Sequence, residues 1–239
     1  WEAPPGSSLL VSALVGAPAP ELAQLTTVCA ALAAADACAD VSGVHPSLKW
    51  PNDLLVGDEK LGGILAELLV EILPPSTFPA RSASFEPRIS APMTTPGAQQ
   101  SGRDHQPRDH RPRRFAFVAV VVGLGLNIDW GDAELPDGAT SLARVAGARR
   151  VNREALLTSY LGHLAHRCAA LDRPGARAGL LDDYRRACST LGREVSVDLG
   201  VEQLVGTATA IADNGNLVVT TDAGAHEVAA GDVAHLNAP

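Results

Sequence analysis

The stretch at residues 49–67, KWPNDLLVGDEKLGGILAE, constrains this chain more than any other part of it. Two apolar runs, at 53–56 and 64–72, flank a short turn that contains Gly57, a pattern typical of a β-hairpin. Pro51 would remove a hydrogen bond from a central strand, so we expect it at a strand entry or a bulge. The paired glycines at 62 and 63 would let another group approach the backbone closely.

The polar residues of this hairpin suit the activation of an acid. A carboxylate that attacks a nucleotide phosphate approaches another anion, and the Lys60 ammonium would stabilise the charge that develops on the phosphate oxygens. Asn52 offers a donor and an acceptor to a nucleotide, while Asp53 could orient the lysine, hold Mg²⁺ or take a proton. A surface hairpin with scattered charges explains the same composition, so the residues alone leave both interpretations open.

A second candidate segment follows the β-branched and aromatic run at 115–122, which predicts a strand buried on both faces. The segment reads GLGLN at 123–127. It is not a dinucleotide-binding fingerprint, because the third glycine is missing and no helical pattern follows. Taken by itself, it fits a strand end with a bulge and a turn-forming Asn127.

In combination, these segments resemble the biotin protein ligase family. The central motif of that family is matched by KWPND and KLGGILAE, and three further blocks agree in order: WEAPPGSSL at 1–9, VGLGLN at 122–127 and ATSL at 139–142. The resemblance covers the chain apart from the Pro/Arg-rich stretch after Leu73. It implies an α+β fold, in which a mixed-sheet, biotin/lipoate ligase-like core of the class II synthetase type precedes an SH3-like β-barrel.

The resemblance also implies an activity. Enzymes of this family join biotin and ATP, with Mg²⁺, into biotinyl-5'-AMP and then transfer biotin to a lysine of a biotin carboxyl carrier domain of a carboxylase. Carried over by matching position, Lys60 would contact the biotin carboxyl and the α-phosphate, and Asp53 would orient Lys60 or help to deprotonate the acceptor lysine. The remaining roles are biotin binding by Gly62, Gly63, Gly123 and Gly125, and nucleotide binding by Asn52, Asn127 and Trp1, with Trp1 stacked on adenine. No residue is predicted to ligate a metal.

Three alternatives remain beside this interpretation. A lipoate–protein ligase shares the fold and the adenylation step. In the family, a G-R-G-R-x-x-R loop comes directly before the tryptophan that Trp1 matches, so we expect an N-terminally truncated core here, and a non-catalytic remnant that binds nucleotide or carrier protein is the second alternative. A DNA-binding regulator is the third, and the formal charge of −8 argues against it.

The organisation of the rest of the chain follows from composition and periodicity. We predict a catalytic core at 1–188 and an SH3-like domain at 189–239, where short strands alternate with turn signals. Within the core, the stretch 73–114 holds 8 of the 17 prolines and no apolar periodicity, which predicts a disordered insertion. Helices are predicted over 21–40, over the apolar stripe that follows an Asn152 N-cap, and over 176–188.

The four cysteines and seven histidines give no sign of a metal site or a disulfide framework. The cysteines lie in alanine- and leucine-rich stretches without a C-x-x-C pair, which predicts small buried side chains in a reducing compartment. His163 and His166 have no acidic neighbour in the sequence, and we expect them at the surface. No secretory signal or membrane span is visible, so the chain is expected to be cytoplasmic and to have no membrane partner.

Overall fold

The computed structural model describes residues 2–16, 22, 24–73, 115–147, 151–200 and 202–236. Trp1 lies outside these residues, and so does the predicted insertion at 73–114 apart from Leu73. The chain divides into two compact units, Trp1–Leu69 with Val118–Pro239 and Val70–Phe117.

The first sheet has five strands, arranged in the order β1-β5-β4-β3-β2. They are β1 (Ser8–Gly16), β2 (Ser47–Lys49), β3 (Asp53–Val56), β4 (Glu59–Leu73) and β5 (Phe115–Asn127). The described ladders of this sheet are antiparallel, and two isolated parallel bridges join Leu48 to Cys188 and Lys60 to Ala139. Asn127 ends β5, so the GLGLN segment is part of the strand rather than a turn after it.

Four helices are described: α1 (Leu25–Ser42), α2 (Leu142–Val145), α3 (Arg153–Cys168) and α4 (Pro174–Ala187). Helix α1 ends at Gly43, whose φ of 73° is left-handed and whose N–H bonds the Ala39 carbonyl. Asn152 caps α3 as predicted, because its Oδ1 accepts hydrogen bonds from the N–H groups of Glu154 and Ala155 at 3.0 and 3.1 Å.

Helix α1 is the centre of the core and packs along α3. Its side chains are small, and Leu25, Cys29 and Ala33 are fully buried. The helix is long and apolar enough to span a membrane. Within the fold, however, 67% of this segment is buried, as in a core helix of a globular domain. Leu180, Leu181 and Tyr184 form the buried face of α4.

The cysteines are free, as predicted, and they pack as small apolar side chains. Cys29, Cys38 and Cys188 are buried, whereas Cys168 is half-buried. Burial raises the pKa of the Cys38 thiol to about 12, so this thiol stays protonated at neutral pH.

The second sheet also has five strands, in the order β10-β6-β7-β8-β9. They are β6 (Glu194–Asp198), β7 (Gln203–Ile211), β8 (Leu217–Thr221), β9 (Gly224–Val228) and β10 (Asp232–His235). Strands β6 to β9 form an antiparallel meander, and β10 returns to pair with β6. Helices packed on one sheet, followed by a small all-β part, make up the predicted α+β class.

Candidate functional site

The hairpin of β3 and β4 carries the polar residues of the KWPND motif, and its register is irregular. Asp53 lies opposite Gly63, Leu54 opposite Gly62, and Leu55 opposite Lys60. The register therefore shifts between Leu54 and Leu55, and Leu61 is the extra residue of a β-bulge. Because side chains alternate along a strand, this bulge moves Lys60 away from the core face and onto the face that carries Asp53.

Lys60 and Asp53 form an ion pair on that face. The Lys60 Nζ atom lies 2.6 Å from Asp53 Oδ1. The Lys60 side chain is 44% exposed and that of Asp53 is 17% exposed. The carboxylate thus orients the ammonium while leaving part of it open to an incoming anion.

The backbone of Lys60 is fixed on its other side by the segment 138–140. Its N–H donates to the Gly138 carbonyl at 2.7 Å, and its carbonyl accepts from the Thr140 N–H at 2.9 Å. Since Thr140 also receives a side-chain hydrogen bond from Asn127 at 3.0 Å, the two predicted site segments meet at this residue.

Three of the predicted glycines share the face of the Lys60–Asp53 pair. Gly63 lies opposite Asp53 and therefore shares its face. Leu65, two residues further along β4, lies on this face as well. A Cβ atom added at Gly123 of β5 would lie 3.8 Å from Leu65 Cβ, so Gly123 is on the same face. Gly125, two residues beyond Gly123, lies on the same face. These glycines form a floor without side chains, which we call the glycine floor (Gly63, Gly123 and Gly125).

Exposed leucines border the glycine floor. Leu10 pairs with Gly125 across β1 and β5, and Leu14 lies four residues further along the same face of β1. Leu10, Leu14 and Leu65 are 58%, 64% and 63% exposed, an unusual position for large apolar side chains on one sheet face. The face offers an apolar trough beside a cation, which suits a ligand with an apolar chain that ends in a carboxylate.

Gly62 lies on the opposite face. Its strand partner Leu54 is fully buried, and a Cβ at Gly62 would come within 2.7 Å of the Gly125 carbonyl oxygen and 2.8 Å of Leu126 Cδ1. Close packing of β4 against β5 therefore explains this glycine without a ligand. Gly123 differs, because a Cβ there would make only ordinary contacts of 3.7 and 3.8 Å.

Asn52, one of the two asparagines predicted to bind the nucleotide, is hydrogen-bonded to strand β4. The Asn52 amide Nδ2 donates to the Ile64 carbonyl at 2.9 Å, while the Ile64 N–H donates to the Asn52 carbonyl at the same distance. Asn52 Oδ1 accepts no hydrogen bond from any described residue and can face a ligand. Both interactions join the turn before β3 to the middle of β4.

Asn127 is buried and its carboxamide is largely occupied. Its Oδ1 accepts hydrogen bonds from Ser8 Oγ at 3.3 Å and from Trp130 Nε1 at 3.1 Å, while its Nδ2 donates to Thr140. The side chain thereby ties the ends of β1 and β5 to the loop that follows. This placement favours a positioning role for Asn127.

The loop after β5 lines an open cleft of about 820 Å³ next to the Lys60 hairpin. Its lining includes Glu59, Asp129, Trp130, Gly138, Ala139 and Arg144. Trp130 offers an aromatic face and Arg144 a guanidinium, two groups that bases and phosphates bind. In the sequence this loop shows only acidic residues with single glycines and prolines, and no apolar period marks it as part of a site.

Among the residues that the structure describes, no group of three or more His, Cys, Asp or Glu side chains is placed to hold a metal ion. His163 lies elsewhere, on α3, where its Nε2 is 2.8 Å from Asp40 Oδ2. This contact, together with a hydrogen bond from Ser159, lowers the pKa of the Asp40 carboxyl.

Two family models and two curated proteins that match this chain describe ligases. Residues 1–72 match the model of the biotin/lipoate A/B protein ligase family, and residues 190–236 match that of the biotin protein ligase C terminal domain. The chain is 29% identical over 214 residues to the biotin--[acetyl-CoA-carboxylase] ligase of Mycobacterium tuberculosis, covering 88% of this chain and 62% of that protein. It is 25% identical over 168 residues to the bifunctional ligase/repressor BirA of Bacillus subtilis, covering 67% and 38%.

The fold is similar to solved structures as well. A biotin protein ligase from Aquifex aeolicus superposes with a TM-score of 0.67 at 18% identity, covering 96% of this chain and 83% of that one. The same enzyme in complex with biotin and ATP gives a TM-score of 0.65 at 19% identity, covering 97% and 79%. The chain thus spans most of these structures, and less than two thirds of the length of the two curated relatives.

Proposed function

Because this chain belongs to the biotin protein ligase family, we propose that it activates biotin as biotinyl-5'-AMP and transfers it to a lysine of a biotin carboxyl carrier protein. The observation that carries this proposal is the Lys60–Asp53 ion pair beside the glycine floor. An apolar trough with a cation beside it has the chemistry of a biotin site, since biotin joins an apolar chain to a carboxylate.

In the first step, a carboxylate oxygen of biotin attacks the α-phosphorus of ATP. A new P–O bond forms, the bond to the β-phosphate oxygen breaks, and pyrophosphate leaves. Lys60 neutralises the two anions as they approach and stabilises the charge on the phosphate oxygens in the transition state. Asp53 keeps the ammonium in place for this task.

The nucleotide is proposed to lie between the KWPND turn and the loop after β5. Asn52 Oδ1 is available to it, and Asn127 would act by holding that loop, while Trp1 is proposed to stack on adenine. Mg²⁺ is proposed to arrive bound to the phosphates of ATP, because the described residues hold no group of three ligands for it.

In the second step, the amine of the acceptor lysine attacks the carbonyl carbon of the mixed anhydride. An amide bond forms and AMP leaves. The amine must lose a proton, and Asp53 is the carboxylate nearest to Lys60 that can take it. The carrier domain of a biotin-dependent carboxylase is the proposed partner, and free, buried thiols fit the proposed cytoplasmic location.

The second candidate function is lipoate transfer, because the family that matches residues 1–72 includes lipoate ligases. Lipoate also joins an apolar chain to a carboxylate, so the glycine floor and Lys60 suit either acid. The size and polarity of the ring that enters the trough would decide between them.

Incubation of the chain with a purified carrier domain, Mg-ATP and equal amounts of biotin and lipoate tests the proposal. Intact-mass spectrometry is expected to show a carrier that gains one biotinyl group, with no lipoyl product. A lipoylated carrier would establish the second candidate. An unmodified carrier would contradict both and would leave a protein that binds without turnover.

A further inference from the structure

Thr190 occupies a buried position between the two sheets, outside every sequence block that matches the family motif. It lies between α4 and β6 and is fully buried. Its Oγ1 accepts a hydrogen bond from the Trp50 N–H at 3.0 Å and lies 3.1 Å from His235 Nε2. Thr190 thus connects β10 to the KWPND turn through a single hydroxyl group.

The direction of one of these hydrogen bonds follows from its donor. The Trp50 N–H can only donate, so the Thr190 Oγ1 accepts it. Between Thr190 Oγ1 and His235 Nε2 the tautomer of the imidazole decides which atom donates, and both directions are compatible with the Trp50 bond because a hydroxyl oxygen has two lone pairs. A side chain without a hydroxyl at position 190 would leave the buried Trp50 N–H without an acceptor.

Two further contacts hold the same turn. The Trp50 indole Nε1 donates to the Gly215 carbonyl at 3.0 Å, and the Ser189 N–H donates to the Leu48 carbonyl at 2.7 Å. The indole itself is 2% exposed. The turn between β2 and β3 is therefore held from outside the first sheet, by the turn between β7 and β8 and by the segment before β6.

The residue that pairs with Lys60 follows this turn directly. Asp53 comes three positions after Trp50 and is the first residue of β3. The Asp53–Lys60 contact of 2.6 Å depends on where the turn places the start of β3. Because only two residues separate Trp50 from Asp53, a small displacement of the Trp50 main chain would also displace the Asp53 carboxylate.

We propose that Thr190 is a positioning residue for acid activation, which sets Asp53 against Lys60 by fixing the main chain of Trp50. This inference rests on the proposed function. It gives the second sheet a part in the first chemical step, although none of its side chains is required to touch biotin or ATP.

Arg185 supplies a matched control for the test. It is a second link between a helix and the second sheet, since its Nε and Nη2 donate to the Ile211 carbonyl at 3.0 and 2.8 Å. It has no contact with the KWPND turn among its described hydrogen bonds, so its loss weakens the same interface at a different place.

The test compares Thr190→Val, Thr190→Ser and Arg185→Gln in the full chain by biotin-dependent exchange of labelled pyrophosphate into ATP. Thr190→Val is expected to lower kcat by about 10-fold with little change in KM for biotin, which corresponds to about 1.4 kcal/mol of transition-state stabilisation. Thr190→Ser keeps the hydroxyl and is expected to restore kcat. Arg185→Gln is expected to lower the melting temperature and to leave kcat unchanged.

Hydrogen exchange of residues 49–56 provides a readout that does not depend on activity. Faster exchange of this segment is expected in Thr190→Val and not in Arg185→Gln. The inference is overturned if Thr190→Val keeps wild-type kcat, if Arg185→Gln lowers kcat equally, or if exchange at 49–56 does not change. Wild-type protein without any biotin-dependent exchange would refute the proposed function instead, and the hydrogen-exchange comparison would still decide the role of Thr190.

Discussion

Gly62 and Gly123 lie on neighbouring strands and look equivalent in the sequence, yet they face opposite sides of the sheet. A methyl group at Gly62 would meet the Gly125 carbonyl at 2.7 Å, whereas one at Gly123 would enter the open trough. The sequence indicated that both positions need glycine. The sequence could not show that Gly62 is required by close packing whereas Gly123 leaves space on the open face. Only the register of β4 and β5 shows which face each glycine is on.

Replacement of each glycine by alanine separates these roles. Gly62→Ala is expected to lower the free energy of unfolding by about 1–3 kcal/mol through overpacking. Gly123→Ala is expected to keep or slightly raise stability, because alanine loses less conformational entropy than glycine, and to weaken biotin binding. Urea denaturation and calorimetric titration with biotin measure the two effects.

Equal loss of stability in the two glycine variants would contradict the assignment of faces. Unchanged biotin affinity in Gly123→Ala would show that the trough is not the biotin site. In either case the proposed roles of these two residues would have to be exchanged or abandoned.

At the scale of the element, the apolar pattern predicted the hairpin, with its turn at 57–59 and Lys60 at the start of the second strand. Strand β4 begins at Glu59, one residue earlier, so Lys60 and both following glycines belong to the ladder. Glycine is a poor strand residue by local propensity. Tertiary packing overrides that preference, because β5 lies too close to Gly62 for any side chain.

The bulge at Leu61 had no signal in the sequence, although it decides the direction of Lys60. A regular ladder would have turned Lys60 and Gly62 to the same, buried face. The motif itself indicated that Lys60 and Asp53 act together, and the bulge is the structural reason that their side chains can meet.

In helix α3, features set by neighbouring residues were predicted from the sequence, whereas a contact with a distant part of the chain was not. The apolar stripe predicted after the Asn152 N-cap ran through Leu156, Leu157, Tyr160, Leu161, Leu164, Cys168 and Leu171. Leu156, Tyr160 and Leu164 are buried as predicted, whereas Leu161 is 41% exposed, so its prediction as a buried residue is wrong. The contact of His163 with Asp40 was missed, because the partner lies on α1, far away in the sequence. An expectation based on sequence neighbours alone could not include it.

At the scale of the whole molecule, the KWPND motif is hydrogen-bonded to the part of the chain that carries the second sheet. Trp50 belongs to the motif, and its partners are Thr190, which precedes β6, and Gly215, which lies in the turn between β7 and β8. The resemblance predicted a small β-rich part in this place, and its hydrogen bonds to the motif could not be predicted from either part alone. The separate domain predicted at 189–239 stays a proposal.

The interface between the sheets predicts a pH dependence. Burial lowers the pKa of His235, and the charges of Arg193 and Lys49 lower it further, while Asp58 acts in the opposite direction. The unfolded chain therefore binds this proton at a higher pH than the folded chain does. The contribution to stability is complete above the unfolded pKa of about 6.5 and is lost as the pH falls toward the lowered folded pKa.

Urea denaturation between about pH 8 and pH 5 measures this loss, and His235→Asn is expected to flatten the dependence in that window. The lowered pKa values of the Asp40 and Glu227 carboxyls act at lower pH, below their ordinary values of 3.8 and 4.5. A pH dependence that is identical in wild type and His235→Asn would contradict the role given to this interface.

The proposed mechanism depends on the Lys60 ammonium as the group that allows a carboxylate to approach a phosphate. Biotin-dependent exchange of labelled pyrophosphate into ATP tests it most directly, with Lys60→Met beside Arg186→Met, which removes the same charge at an exposed position that pairs with Asp183 on α4. The expected result is exchange in wild type and in Arg186→Met, and no exchange in Lys60→Met. Exchange at the wild-type rate in Lys60→Met would contradict the proposed mechanism.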